Sequence, residues 1–274
     1  MVHHVGRRIV VPIGHLIRIP FYAPALACSV MTADDSPDMS PAAVRLEAAM
    51  DPFTGDPVYR EAVVDLLGAL AYGELTAFSR LAADAEMAPT QPDKAAVAAL
   101  AVAEFHHYEV LVARLSSMGV DAQASMAPFV LPVDGFHDRT KPGGWLEGLV
   151  KAYVGDGIAT DFYREIAAYV DPSTQELVHA VLEDQGQAEF VVKVVSEAIA
   201  ADPSIAGRLA LWGRRLVGEA LSQAQRVAVE RDALASLLVG GTRRPGADLA
   251  EIGRMFARLT DEHTRRMTLL GLAA

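Results

Sequence analysis

Ala103-Glu104-Phe105-His106-His107-Tyr108-Glu109 decides the reading of this chain. Around it Val97, Leu100, Leu111 and Leu115 recur at helical spacing, and Glu104 and His107 fall on the same stripe, one turn apart. The expected helix 2 runs from about Pro92 to Met118 and is closed by Gly119. It thus carries a carboxylate and an imidazole at core positions. Burying a carboxylate is costly unless it is paired or bound to a cation. Glu-x-x-His on the inward faces of bundled helices is one way such groups hold metal. Taken alone the spacing is weak, because two polar residues on a wet helix face share it.

The neighbouring segments strengthen it. Helix 1 is expected over about Pro57–Glu86, with Pro57 in its first turn and Pro89 beyond its end. Its stripe, Val63, Leu67, Leu70, Glu74, then Ala77 or Phe78, then Leu81, again puts an acid in the core. Glu74 and Glu104 each lie 15 residues from Pro89, so an antiparallel hairpin sets them level.

A second hairpin follows: helix 3 over about Trp145–Tyr169, a turn at Asp171-Pro172-Ser173, and helix 4 continuing to about Ala200. The stripes are Leu149, Tyr153, Asp156, Thr160, Tyr163, Ile166 and Leu177, Val181, Asp184, Gln187, Val191, Val194. Ala71-Tyr72-Gly73-Glu74 parallels Ala152-Tyr153-Val154-Gly155-Asp156, and Glu104-x-x-His107-x-Glu109 parallels Asp184-x-x-Gln187-x-Glu189. The position level with Asp184 is about residue 157, which selects Asp156 over Asp161.

The repeat therefore proposes six metal-site residues: Glu74, Glu104, His107, Asp156, Asp184 and Gln187. Their four carboxylates would balance two Fe²⁺ ions. Carboxylate with imidazole suits iron or manganese rather than a thiolate-seeking metal, and a reduced pair with open positions can use O₂. The plain alternative is four unrelated helix-face acids. Gln187 is neutral and a poorer ligand than histidine, so the second half of the site is degenerate.

The rest of the chain fits an all-α protein. Aromatic residues make up only 7% of the sequence, strand-like alternation is nearly absent, and 274 residues suffice for one domain or at most two. Residues 119–143, rich in Pro and Gly, are expected to form a crossover over one end of a bundle, as a packing linker or a lid. Gly155 and Gly157 beside Asp156 would either make room for substrate or O₂ or permit close helix packing. Helix 5 is expected over about Ile205–Leu238 and helix 6 over about Asp248–Leu270, after a loop at Gly240–Gly246. Glu219 and His263 in these helices are expected to be salt-bridge or capping partners.

The net charge of −11 hides an asymmetry. Residues 31–200 carry −17, whereas 201–274 carry +3, their basic residues all arginine. Those arginines are either solvated helix faces or a patch for an anionic partner. The lone Cys28 excludes a disulfide framework and a cysteine metal site, and fits a cytoplasmic setting. Arg7-Arg8 and the apolar run to Cys28 imitate a signal peptide, but His15, Arg18, Pro12 and Pro20 interrupt it. The expectation is a disordered extension over residues 1–55, with translation starting at Met31. No later run is expected to span a membrane.

Ala71-Tyr-Gly-Glu74-Leu, Ala103-Glu104-Phe-x-His107-Tyr-Glu109, Leu146-Glu-Gly-Leu-Val-Lys-Ala-Tyr-Val-Gly-Asp-Gly157, Asp161-Phe-Tyr-Arg-Glu165 and Leu211-Trp-Gly-Arg-Arg-Leu-Val-Gly-Glu-Ala-Leu-Ser-Gln-Ala-Gln-Arg226 resemble the ferritin-like proteins named for the tRNA-(2-methylthio-N6-isopentenyladenosine) hydroxylase. The resemblance spans roughly residues 55–272. It implies a ferritin-like four-helix bundle over 57–200, two hairpins joined by a crossover, with two additional C-terminal helices over 202–272. It also implies non-haem di-iron, O₂, an electron donor, and hydroxylation of a modified adenosine in tRNA. Glu74, Glu104 and His107 would hold one iron and Asp156 and Asp184 the other, with tRNA docked on the Arg-rich helices. A homo-oligomer is compatible with this family. The competing expectation is a ferritin-like metal-binding or scaffold protein without hydroxylase activity; iron storage ranks third.

Overall fold

The computed structural model describes residues 56–183, 186–240 and 246–274. The expectations for residues 1–55, Asp184, Arg243 and Arg244 lie outside the described residues. The regular structure among the described residues is all helical, without a strand.

Helix α1 (Pro57–Asp84) starts where Asp56 accepts the Tyr59 N–H at 3.0 Å, with Pro57 in the first turn, where its missing N–H costs nothing. After the 3₁₀ turn Ala85–Met87, α2 (Gln91–Ser117) starts on Thr90, which caps the Asp93 N–H. This hairpin is the principal helix pair of the fold and agrees with the sequence boundaries within about two residues.

The crossover is more ordered than its Pro and Gly content suggests. It folds as α3 (Ala122–Met126), a 3₁₀ turn (Ala127–Phe129) and α4 (Val130–Arg139). Pro128 and Pro132 occupy first turns, the positions a helix tolerates. Gly68 lets α3 lie directly on α1, because a Cβ there would collide with the carbonyl oxygen of Ser125.

The expected helix 3 is one helical run with a π turn in its middle: α5 (Trp145–Val150), the π turn Lys151–Gly155, and α6 (Asp156–Ala167). Helix 4 departs from expectation. It ends at Val181 as α7 (Pro172–Val181) and restarts at Gln187 as α8 (Gln187–Ala201). Gly186 takes φ 94°, a left-handed conformation that glycine alone adopts readily, and Arg164 Nη2 donates to the Leu182 carbonyl left over at the break, 2.5 Å away.

The expected helix 5 is also two helices, α9 (Ala206–Glu230) and α10 (Asp232–Val239), separated by Arg231, whose backbone leaves the helical region at φ −127°, ψ 80°. The cause is an ion pair: Arg231 donates twice to Asp65 of α1, at 2.9 and 2.5 Å, and Asp65 is only 3% exposed. Helix α11 (Leu249–Leu269) closes the chain and is capped by Asp248, as expected for helix 6.

Two hydrophobic clusters fill the bundle. Leu66, Leu67, Leu70, Leu111, Phe129, Ile166 and Leu237 dominate one, and Leu149, Val150, Val191, Val195, Leu209, Leu216 and Met267 the other. The reading that no run is long enough to span a membrane needs correction. Residues 57–87 and 91–117 are both long and apolar enough by length and hydropathy alone. Helix α1 uses its apolar residues as core, and both helices carry inward carboxylates.

Two substitutions test this packing. Arg231→Ala strands the buried Asp65 carboxylate and is expected to cost about 2–4 kcal/mol in urea unfolding. Gly68→Ala, which forces α1 and α3 apart, is expected to cost about 1–3 kcal/mol.

Candidate metal centre and its cavity

Two helical turns on facing helices build the centre. Glu74 projects from the middle of α1, and Glu104 and His107 project from successive turns of α2. One ligand atom from each of the three lies within 4.8 Å of the others. His107 Nδ1 is 3.5 Å from both Glu74 Oε2 and Glu104 Oε2. Both contacts lack hydrogen-bond geometry, so Nδ1 is a buried polar atom without a hydrogen-bond partner. Its neighbour His106 points the other way and meets Glu109 at 3.0 Å on the surface.

The electrostatics follow from this crowding. Burial pushes the Glu74 carboxyl well above its ordinary range, and the nearby Glu104 and Asp156 carboxylates add to the effect, against the pull of His107. Burial also works upward on Glu104, but His107 and Glu74 outweigh it and hold Glu104 below the usual range. Contacts with Glu104 and Glu74 raise His107 to about 10. Without metal, near neutral pH, the imidazole therefore retains a proton, and the Glu74 carboxyl holds a proton more readily than an ordinary carboxyl does. A divalent cation fits the donor set: it would take the place of these protons and give the orphaned Nδ1 a partner.

A cavity of about 280 Å³ opens beside the triad, just below the usual range for ligand pockets. Leu70, Ala77, Phe129, Phe136, Ile158 and Ile166 contribute apolar wall, and Glu74 and Glu104 reach its surface. The crossover helix α4 supplies Pro132, Val133, Phe136 and His137, so this segment is a wall of the site.

A family model described as a ferritin-like domain of actinomycetes matches residues 57–241, two thirds of the chain. The chain belongs to this ferritin-like family. No curated protein matches it. The all-α ferritin-like bundle expected from the sequence is therefore shown, and the match covers both hairpins together with α9 and α10.

Within that fold, the sequence-derived site residues separate into groups. Glu74, Glu104 and His107 come together. Asp156, the first residue after the π turn, lines the cavity and acts electrostatically on Glu74 and Tyr163, but is exposed and does not join the three-residue cluster. Gln187 also lines the cavity, from the first turn of α8; its Nε2 donates to the Ala152 carbonyl of the π turn at 3.1 Å. Because the helix is broken before Gln187, the Asp184-x-x-Gln187 spacing does not describe one continuous helical face, and Asp184 is outside the described residues.

Other candidates resolve as structural. Asp161 is paired with Arg266 at 2.5 Å. A Cβ on Gly157 would meet Arg266 Nε at 2.7 Å, so this glycine accommodates an arginine. Glu219 is bound to Arg139 at 2.6 Å, as a salt-bridge partner should be. His263 is not one: it is buried with Nδ1 lacking a hydrogen bond, and burial, aided by Arg266, lowers its pKa.

Sequence reasoning missed Arg80, Asp84, His137 and Lys151, which also line the cavity. The available signal was a lysine inside the otherwise apolar Leu149-Val150-Lys151-Ala152-Tyr153-Val154.

Metal binding is expected to be strongly pH-dependent. The elevated Glu74 and His107 favour the folded metal-free protein most while both hold protons, below their ordinary values. That contribution is lost as pH rises through the raised Glu74 value and toward about 10 for His107. Metal affinity must move the opposite way, rising about tenfold per pH unit for each proton released. Titration with Mn²⁺ or Fe²⁺ between pH 6 and 8 should show this rise, and Glu104→Ala should abolish it.

Proposed function

We propose that this ferritin-like protein is an O₂-dependent, non-haem iron oxidoreductase acting on a substrate with an apolar reacting group. The observation that carries the reading is the clustering of Glu74, Glu104 and His107, with the two carboxylates of the cluster lining an apolar cavity. Iron held by these three residues would supply O₂ activation, with electrons from a separate donor. A second iron would draw on Asp156, with Asp184 and Gln187 as the remaining candidates.

The chain's own residues prepare the site. Phe129, Phe136, Ile158 and Ile166 exclude water and hold an apolar group against the carboxylates. Burial makes Glu74 hold a proton more readily than an ordinary carboxyl until a cation displaces it, and keeps the Tyr163 hydroxyl, near Glu74 and Asp156, protonated across the physiological range.

The finer reading as a tRNA hydroxylase takes its docking surface from the C-terminal arginines. Arg226, Arg231, Arg254, Arg258, Arg265 and Arg266 each already pair with an acid of this chain. Nucleic-acid affinity depends on basic charge available to phosphates, so these pairs favour a small substrate over tRNA. A gel shift with tRNA at low salt separates the two, since binding there would restore the tRNA reading.

Elemental analysis of protein grown with added iron tests the centre itself. The expected result is at least one iron per chain, lost in Glu104→Ala, and two would establish the di-iron form. No iron, with an unchanged melting temperature in Glu104→Ala, would leave a ferritin-shaped scaffold.

A further inference from the structure

Gly73, Ala77, Arg80 and Asp84 follow each other at three- and four-residue spacing along the face of α1 that lines the cavity. From the level of Glu74 to that of Asp84 this face runs about 15 Å, at 1.5 Å per residue. One end of the stripe is the metal triad. The other is a group of cations that nothing in the metal chemistry uses.

Lys151 is the centre of that group. It opens the π turn and is 7% exposed. Nζ donates to the Thr140 carbonyl at 2.8 Å and stands 5.4 Å from the centre of the Phe136 ring. An ammonium has three donors, and among the described residues no carboxylate comes within 4 Å of this one. Burial lowers Lys151 to about 8, with Asp84 and Asp138 opposing and Arg80 reinforcing the shift. Arg80, exposed at the cavity rim, likewise has no ion-pair partner among the described residues. His137 Nδ1 is buried without a hydrogen bond, and burial together with Lys151 and Arg80 keeps this ring neutral, its pKa lowered to about 3. A buried ammonium without a close counterion is costly, and here it stands at the wall of a cavity.

Lys151 and Arg80, set against Asp84, leave this end of the lining with one net positive charge, which a monoanion balances; Asp138 also faces Lys151 electrostatically but lies outside the lining. We propose that the cavity binds a fatty-acid-class ligand, its carboxylate held by Lys151 and Arg80 and its aliphatic chain lying along Gly73, Ala77 and Phe136 toward Glu74. This names the substrate class of the oxidoreductase proposed above and rests on that reading for turnover. Binding itself needs only the cavity and the two cations.

The test is calorimetric binding of laurate, dodecanol and dodecylamine to metal-free full-length protein, alongside Arg80→Ala, Arg80→Glu, Lys151→Met and Glu104→Ala. Laurate should bind at least tenfold more tightly than dodecanol or dodecylamine. Arg80→Ala and Lys151→Met should each weaken laurate at least tenfold with little effect on dodecanol, and Arg80→Glu should reverse the preference toward dodecylamine. Glu104→Ala should still bind laurate, so that loss of iron and loss of the ligand register separately. Equal affinity for laurate and dodecanol, or laurate binding unchanged in both Arg80→Ala and Lys151→Met, overturns the proposal. Should Lys151→Met fail to fold, the two Arg80 variants, on an exposed side chain, decide it.

Discussion

Glu74 and Glu104 sit next to each other in the interior of a hairpin, and a carboxylate taken out of water is stable there only with a compensating charge or a retained proton. His107 answers part of this demand, lying 3.5 Å from both acids, but without a proper hydrogen bond to either. The strongest helix pair in the fold is thus built around a polar interior that its apolar contacts alone do not satisfy. Metal affinity and fold stability are consequently linked through the same three side chains. Asp65 and Arg231 show the other solution to a buried acid on the same helix, a two-bond pairing with arginine that leaves no vacancy for a cation.

The first hairpin was legible because its signals are local. Asp56-Pro57 and Thr90 are strong helix starts, Pro89 fixes the turn, and equal counting from it sets Glu74 beside Glu104. The helices after the crossover resisted because two of their breaks depend on contacts distant in sequence. The break between α7 and α8 is stabilised by Arg164 reaching the Leu182 carbonyl, and the break at Arg231 by an acid 166 positions earlier. Helical periodicity carries no trace of either. The repeat between hairpins picked out Asp156 and Gln187 as metal ligands; both line the cavity outside the three-residue cluster, and the repeat overstated the regularity of the helix that carries Gln187.

The C-terminal arginines illustrate a related limit. A count by segment makes them look like a basic surface, whereas their positions are complementary to acids: Arg258 bridges to Glu165 and Glu251, Arg266 to Asp161, and Arg265 to Glu262. Some of these join α11 to α6, so they fasten the outer helix onto the wall of the cavity. Charge composition located them correctly, but their work is set by what stands opposite.

The π turn at Lys151–Gly155 has a consequence for inheritance. A wider turn lodges an extra residue in a helix that otherwise advances about 100° per position. Leu149 and Val150, upstream, and Asp156 and Ile158, downstream, thereby face directions that a continuous α-helix would not allow together. Losing a single codon within this turn would remove that extra residue and restore a simple α-helix that still directs Asp156 to the cavity, whereas a plain α-helix of the present length would swing everything after the turn by about 100°. The turn is therefore the place where this helix accommodates a change of length without disturbing its flanks, and with its present length the wider turn is as much a part of the site as any side chain.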